Sequence, residues 1–195
     1  MQLVKRKGMQ SMGHSRAEKA GSRERILRQA AQQIREAGLE SLSVNKLMRS
    51  VDLTHGGFYG HFASRSDLLA EALESALADS QLRARSFGPM VRSYLSRSHR
   101  DSPGTGCAIA SLAPDAARAD EPVREVMNRH VEGFVAIVAQ ALALDEGADD
   151  EALVAVSAMV GALALSRVLT DPKRADAMLR AVREHLIALA PQGTE

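Results

Sequence analysis

Apolar residues recur every three or four positions along almost the whole 195-residue chain, and this period predicts helices rather than strands. In residues 22–37, for example, Ile26, Ala30 and Ile34 fall on one helical face, with arginines and glutamines opposite. No segment alternates convincingly between apolar and polar residues, as a half-buried strand does. The chain is therefore expected to fold as an all-α protein.

Glycine, proline and acidic loops divide this pattern into a succession of helices. The predicted helices cover residues 22–37, 44–51, 55–62, 68–85, 90–99, 107–119, 121–144, 151–169 and 173–190. The basic segment 1–21 is expected to form a flexible arm. The first three helices are expected to form one domain, residues 22–66, and the rest a helical body, residues 67–195.

Composition indicates the cellular compartment in which such a protein works. The single cysteine, Cys107, excludes an internal disulfide framework and a cysteine-rich zinc site, which fits a reducing compartment. The longest uncharged stretch in the C-terminal half, residues 152–166, is shorter than the roughly 20 residues that a membrane-spanning helix needs. The basic N-terminus has no apolar run behind it, so no signal peptide is predicted. We expect a cytoplasmic protein without a membrane-spanning segment.

The formal net charge of +1 conceals a division along the chain. Residues 1–65 hold twelve basic and five acidic side chains, whereas residues 66–195 hold thirteen basic and nineteen acidic ones. A basic end beside an acidic body favours nucleic-acid binding, because lysine and arginine neutralise phosphates. A solvated basic face without such a partner is the alternative.

Two short predicted helices, residues 44–51 and 55–62, follow a longer helix and are joined by a tight turn. This arrangement is typical of a helix-turn-helix module, in which the second short helix enters the major groove of DNA. Ser43 and Thr54 precede the two helices as candidate N-caps. The second helix contains three glycines, each of which costs about 1 kcal/mol relative to alanine. Their presence favours a close approach of this backbone to DNA.

Tyr59, His61 and Arg65 place hydrogen-bond donors along the flank of the same helix, and phosphate contacts require such donors. The alternative is that Tyr59 and His61 cover a hydrophobic cluster formed with Phe58 and Phe62. Taken alone, these residues leave both interpretations open.

The segment 43–69, SVNKLMRSVDLTHGGFYGHFASRSDLL, resembles the DNA-binding signature of the tetracycline-repressor (TetR) family of bacterial transcription regulators. The preceding helix, with its RERIL start, is similar to theirs, so the resemblance covers residues 22–69. It implies a repressor that binds a palindromic DNA operator as a homodimer. It also implies a C-terminal domain that holds a small-molecule effector and releases the DNA. The operator, the effector and the regulated genes do not follow from it.

The resemblance assigns eight residues to the DNA interface: Ser43, Asn45, Thr54, His55, Gly57, Tyr59, His61 and Arg65. Ser43 and Thr54 correspond to capping and phosphate-contacting hydroxyls, and Arg65 stands where the family usually has lysine. Two positions depart from the pattern. Asp52 replaces the usual turn glycine, so it is expected in the left-handed backbone region. Gly60 replaces a commoner aromatic or polar residue.

The last two predicted helices match in position the pair that forms the dimer interface of this family. Small side chains on the helix at 151–169 permit close approach of a second copy, and a self-complementary interface would cover its remaining apolar face. The expected interface residues are Ala158, Gly161, Leu165, Leu179, Val182 and Leu186. A purely intramolecular core is the alternative.

An effector pocket is expected between the helices of the body. The candidate lining residues are Met90, Tyr94, Cys107, Leu112, Phe134, Met159 and Leu163, and plain core packing is the alternative for each. With few aromatic residues and flexible methionines available, such a pocket should be aliphatic and adaptable. Cys107 either packs there or reacts with oxidants or electrophiles, as in one branch of the family.

The sequence favours no enzyme class. It contains no H-E-x-x-H, G-x-S-x-G, P-loop or dinucleotide-binding fingerprint. Neither a metal site nor a cofactor is therefore expected. A helical scaffold that binds a protein partner instead of DNA is the remaining alternative.

Overall fold

The computed structural model describes residues 16–78, 86–142 and 150–189, and all of its regular structure in these ranges is helical. The α-helices are α1 (Arg16–Ala37), α2 (Val44–Ser50), α3 (Arg65–Ala78), α4 (Phe87–Tyr94), α5 (Arg97–Asp101), α6 (Ala108–Ala116), α7 (Glu121–Ala141), α8 (Asp150–Val168) and α9 (Pro172–Leu189). Two 3₁₀ helices, Leu39–Ser41 and His55–Gly60, flank α2 in the chain. The predicted all-α fold class is confirmed.

Helix α1 begins six residues earlier than the apolar pattern predicts, at Arg16, and so includes part of the segment expected to be a flexible arm. Its first turns are exposed and have no apolar stripe, which is why periodicity did not detect them. Alanine, arginine, lysine and glutamate have high helix propensity, and Glu18 lies favourably in the first turn. The remainder of the expected arm, residues 1–15, lies outside the described residues.

Helix α3 begins at Arg65, three residues before the predicted start. The Ser64 hydroxyl accepts a hydrogen bond from the Asp67 N–H at 3.0 Å, and the Asp67 carboxylate accepts one from the Ala63 N–H at 3.0 Å. These bonds satisfy backbone donors that a helix start leaves unpaired. The last residues of the predicted helix, 79–85, are not among the described residues.

The region predicted as one helix at 90–99 consists of two helices, α4 and α5. Pro89 lies inside α4 rather than ending a helix, because it falls in the first turn, where no intrahelical N–H bond is lost. Ser96 separates the two helices and caps α5 by accepting a hydrogen bond from the His99 N–H at 3.2 Å. Helix α6 ends at Ala116, two residues beyond its internal Pro114 and short of the predicted end at Ala119.

Helix α1, helix α2 and the 3₁₀ helix His55–Gly60 form the N-terminal unit. Helix α3 closes this unit by packing against α1, over a core that includes Ile26, Phe58 and Phe62. Arg23 of α1 adds a polar link, since its guanidinium forms an ion pair with Glu71 of α3. The same guanidinium lies 4.9 Å from the centre of the Phe62 ring, which is a cation–π contact. Helix α3 then continues into the body and packs against α7.

A second junction joins the short link after α1 to helix α6 of the body. Gly38 ends α1 with φ 83°, a left-handed conformation that favours glycine. The next N–H, that of Leu39, donates to the Asp115 carboxylate at 3.0 Å. A Cβ atom on Gly38 would lie 2.6 Å from that same carboxylate oxygen. Both the backbone angle and the approach of Asp115 therefore require glycine here.

Helix α8 is long and apolar enough, by length and composition alone, to cross a membrane, although its longest uncharged stretch suggested otherwise. The core helix of a globular protein meets the same criteria. In this structure α8 packs against α7 and α9 of its own chain and buries Ala155, Met159 and Leu163 between them.

We expect Gly38→Ala to lower the free energy of unfolding by about 2 kcal/mol, because it strains the left-handed backbone and displaces Asp115. Gly21→Ala is the matched control: Gly21 lies inside α1 with open space around it, so alanine should stabilise the protein by about 0.5–1 kcal/mol. Urea denaturation followed by circular dichroism measures both. Equal stability of Gly38→Ala and the wild type would show that the junction with Asp115 is not tight.

Candidate nucleic-acid interface and ligand cavity

The two short helices of the predicted helix-turn-helix are α2 and the 3₁₀ helix His55–Gly60, and residues 51–54 connect them. Asp52 adopts φ 59°, so the expected left-handed turn residue is confirmed. The Thr54 hydroxyl accepts a hydrogen bond from the Gly57 N–H at 3.3 Å and thereby caps the 3₁₀ helix. Ser43 occupies the N-cap position of α2, but its side chain makes no capping bond.

Neither packing nor backbone conformation within this chain requires glycine at the three glycine positions of the 3₁₀ helix. A Cβ on Gly56 or Gly60 would meet nothing within 4 Å, and one on Gly57 would make ordinary contacts with Thr54 and Met48 at 3.6 and 3.8 Å. None of the three has a positive φ. The outer surface of this helix is therefore bare backbone where side chains would fit.

The side chains beside this bare backbone divide into a buried and an exposed set. Phe58 is buried, and its ring stacks on that of Phe62 with the ring centres 5.7 Å apart. Tyr59 is 68% exposed and makes edge contacts with Phe58 and His55. Tyr59 thus covers part of the cluster and still presents its hydroxyl to solvent, so the two interpretations of this residue are compatible.

His61 faces α1 rather than the open surface of the 3₁₀ helix. It is half-buried, and its Nδ1 atom has no hydrogen-bond partner among the described residues. Burial lowers the pKa of His61, and the nearby charges of Lys19 and Arg23 lower it further. The imidazole is therefore neutral near pH 7 and can supply one N–H donor.

The Arg65 guanidinium forms hydrogen bonds within its own chain. Its Nε–H donates to the Leu42 carbonyl at 3.3 Å, and one terminal nitrogen donates to the Leu39 carbonyl at 3.4 Å. The same nitrogen lies 3.8 Å from the Glu40 carboxylate. A guanidinium has five N–H donors, so Arg65 orients the start of α3 and keeps donors for a phosphate.

Sequence reasoning missed two exposed basic residues on α2, Lys46 and Arg49, which follow Asn45 on the same helix. The Arg49 Nε–H donates to the Asn45 carbonyl at 3.2 Å, which draws its side chain along the helix. Their charge and their position before the turn were the signals that could have indicated them. Asn45, Thr54 and His55 are exposed as well.

A cavity of about 680 Å³ lies in the body, between the loops around α5, the start of α6 and the middle of α7. Tyr94, Cys107 and Phe134 line it, as the sequence suggested. The other four candidates, Met90, Leu112, Met159 and Leu163, are fully buried in the core and are not among the lining residues. Serine, threonine, histidine and arginine side chains contribute to the wall, so it is more polar than predicted.

His99 connects three elements around this cavity, and no sequence pattern indicated this role. Its Nδ1 lies 2.7 Å from the Tyr94 carbonyl, and its Nε2 accepts a hydrogen bond from the Cys107 N–H at 2.8 Å. Nδ1 must therefore be the protonated nitrogen of a neutral ring. Arg167 of α8 donates to the His99 carbonyl at 3.2 Å and to the Ser111 hydroxyl at 2.9 Å.

The N-terminal unit and the chain as a whole are both similar to known proteins. Residues 26–72 match the family model described as bacterial regulatory proteins, tetR family. An uncharacterised HTH-type transcriptional regulator of Mycobacterium tuberculosis is 26% identical over 191 residues, covering 88% of this chain and 97% of that protein. The N-terminal unit is therefore a DNA-binding domain of the TetR family. The resemblance of residues 22–69 to that family is thereby confirmed.

Solved structures share the fold of most of the chain. A TetR transcriptional regulator from Chloroflexus aurantiacus superposes with a TM-score of 0.71 and 21% identity, over 90% of this chain and 97% of that one. The multidrug binding protein EbrR, complexed with proflavin, gives a TM-score of 0.57 and 22% identity, over 86% and 99%. At this identity the likeness establishes the fold alone.

In the body, the exposed apolar face lies on α8. Leu165 is 58% exposed and Val168 is 77% exposed. Val154, about three turns before Leu165 on the same face of the helix, is exposed as well. Ala158 and Gly161 lie between them and are half-buried. These residues leave an apolar stripe that no described part of the chain covers.

The expected contribution of α9 to that stripe needs correction. Leu179 and Leu186 are buried in the core of their own chain, and Val182 packs partly buried against it. Leu179 and Leu186 therefore attach α9 to its own chain, where it packs against α4 and α8, and are not available to a second copy. The expectation for Val182 stays a prediction. Amphipathic periodicity identifies a buried face but not which partner buries it.

We expect the stability of the protein to fall as the pH drops below about 6.5 because of His99. Burial lowers the pKa of His99, the bond to the Tyr94 carbonyl opposes that shift, and the Arg167 charge adds to it. The unfolded chain then takes up a proton at a pH where the folded chain does not. His99→Asn should therefore show a smaller loss of stability between about pH 7.5 and pH 5.5 than the wild type. Urea unfolding at both pH values measures this, and an unchanged loss would contradict the neutral, buried ring.

Proposed function

We propose that this TetR-family regulator is a dimeric repressor that binds a palindromic operator through its N-terminal unit and releases it when a small molecule enters the cavity. The observation that carries the DNA-binding part is the bare 3₁₀ helix. Gly56 and Gly60 face open space, and neither packing nor backbone angle requires glycine at either position. A surface that forgoes side chains at a cost in stability is suited to contact with another backbone.

Charge supports the same surface. The first 65 residues carry an excess of seven positive charges, and Lys46 and Arg49 are exposed on the helix that precedes the turn. Phosphate contacts by such residues position a protein on DNA, and base-edge contacts then select the sequence. Asn45 and His55 are the exposed side chains best suited to base edges, and Tyr59 and Arg65 those best suited to phosphates.

The dimeric state is supported by the apolar stripe on α8. Monomeric proteins rarely leave contiguous apolar area of this kind exposed to water. A two-fold contact between α8 helices would cover Val154, Leu165 and Val168, with Ala158 and Gly161 permitting close approach. Two N-terminal units held in this way engage two half-sites of a palindrome together.

Effector release is supported by the position of α3. Its first residue, Arg65, holds the carbonyls of the link before α2, and Leu77 near its other end lines the cavity. A ligand that displaces α3 would therefore change the orientation of the N-terminal unit. EbrR, which shares this fold, binds proflavin, so a small molecule can be accommodated by such a body.

Gly56→Ala and Gly60→Ala test the DNA interface. We expect each to leave the fold as stable as the wild type or more so, and to weaken DNA binding about tenfold, because a methyl group separates the two backbones. Fluorescence anisotropy with a labelled duplex from the region upstream of the gene measures the affinity. Gly133→Ala, at an open position on α7, is the control and should not change it. Absence of DNA binding by the wild type would instead favour the scaffold alternative.

Leu165→Glu tests the dimer. The substitution should place a charge in a desolvated contact and yield a monomer near 20.9 kDa, whereas the wild type should show about twice that mass. Ile137→Glu, at an exposed apolar residue of α7, is the control that should remain dimeric. Light scattering coupled to size exclusion decides the matter, and a dimeric Leu165→Glu would place the interface elsewhere.

A further inference from the structure

The chemistry of the cavity wall indicates which class of molecule fits it, given the effector-binding role proposed above. Leu77, Ile109, Phe134 and Ile137 provide apolar surface, and five serine and threonine residues add hydroxyl groups. The charged or basic lining side chains are Arg129, His130 and His99, and the described lining includes no aspartate or glutamate. A cationic ligand would therefore find no carboxylate on the wall itself, whereas an anion would find the side chains of Arg129 and His130.

Arg129 and His130 are currently engaged by a carboxylate of the protein. Glu74 of α3 accepts hydrogen bonds from the Arg129 guanidinium at 3.0 Å and lies 2.8 Å from His130 Nε2. Burial by itself would raise the pKa of Glu74, but the hydrogen bonds from His130 and Arg129 outweigh it and lower the pKa. The carboxylate is thus ionised and links α3 to α7, although it does not itself line the cavity.

We propose that the cavity binds a small organic acid whose carboxylate takes the place of Glu74 on Arg129 and His130, with its aromatic or aliphatic body against Phe134 and Ile137. A carboxylate entering from the cavity meets the same two donors that Glu74 occupies from the α3 side. Binding of the acid breaks the interaction of Glu74 with Arg129 and His130 that links α3 to α7. Occupancy of the cavity is thereby coupled to the position of α3, because one carboxylate replaces another.

The link is suited to such an exchange because it is partly solvated. The side chains of Arg129 and Glu74 are 60% and 47% exposed, and ion pairs in this environment contribute little to stability. A ligand of modest affinity can therefore displace Glu74. By contrast, the ion pair of Glu71 with Arg23, one turn earlier on α3, lies away from the cavity lining.

A second feature of the wall also indicates a polar ligand. The Tyr94 hydroxyl is buried in a residue only 1% exposed, and in the part of the chain that the structure describes its neighbour is the Cys107 thiol rather than a nitrogen or oxygen acceptor. Burial and the adjacent Cys107 thiol raise the pKa of Tyr94, so the phenol stays neutral and can donate. A thiol is a weak acceptor, so this donor gains from a stronger acceptor on the ligand body, such as a ring hydroxyl.

Isothermal titration calorimetry on the full-length protein without DNA tests this proposal with benzoate, 4-hydroxybenzoate and hexanoate as probes. At least one acid should bind with a Kd below about 1 mM, and benzamide should bind at least about tenfold more weakly than benzoate if benzoate is the acid that binds. For 4-hydroxybenzoate and hexanoate the matched neutral compounds are their amides. Proflavin, a cation, should not bind.

Three variants separate the exchange from a merely structural effect. Arg129→Gln should weaken binding of the acid about tenfold, because it removes the charged donor. Glu74→Gln should strengthen it about fivefold, because it removes the internal competitor. Glu71→Gln is the matched control, since it makes the same change and breaks an ion pair on the same helix, and it should leave the affinity unchanged.

The proposal is overturned if none of the three acids binds, if the amides bind as well as the acids, or if Glu74→Gln weakens binding of the acid. These titrations contain no DNA, so their failure leaves operator binding intact. Conversely, failure of the wild type to bind DNA would contradict the proposed function without affecting the titrations. Glu74→Gln with reduced DNA affinity in the absence of any acid would show that the same link controls α3.

Discussion

The structure depends on the burial of α3 on two sides. Helix α3 packs against α1 and against α7, and its buried side chains all belong to one core cluster: Leu68, Leu69, Ala72, Leu73, Ala76 and Leu77. One hydrophobic core therefore runs through both halves, so packing alone does not mark the predicted division at residue 66. Because packed helices shift as rigid elements, a displacement at one end of α3 reaches the other.

Much of the fold could be predicted from local patterns, since amphipathic stripes and capping residues act within one or two turns. The left-handed Asp52 and the Thr54 cap are examples in which the residue type alone determined the geometry. Boundaries were less accurate where no stripe existed, as at the exposed start of α1. They also shifted at α4, where Pro89 could begin a helix as readily as it could end one.

The functional sites were less predictable because they depend on which surfaces remain after packing. Arg65 could be recognised as a donor, but its bonds go to carbonyls more than twenty residues earlier in the chain. Leu179 and Leu186 form a stripe that fits either a dimer or a core, and only the packed position of α9 distinguishes the two. The polar wall around His99 and Arg129 follows from the gap between α5, α6 and α7, which no periodicity describes.

The double burial of α3 also affects how the chain can fold during synthesis. The core of the N-terminal unit cannot close until α3 has left the ribosome, and the second face of α3 stays uncovered until α7 has been made, more than forty residues later. At about 5–20 residues per second, this leaves an apolar helical face exposed to water for several seconds. The helix proposed to couple effector binding to DNA binding is thus also a segment of the nascent chain that needs protection from aggregation.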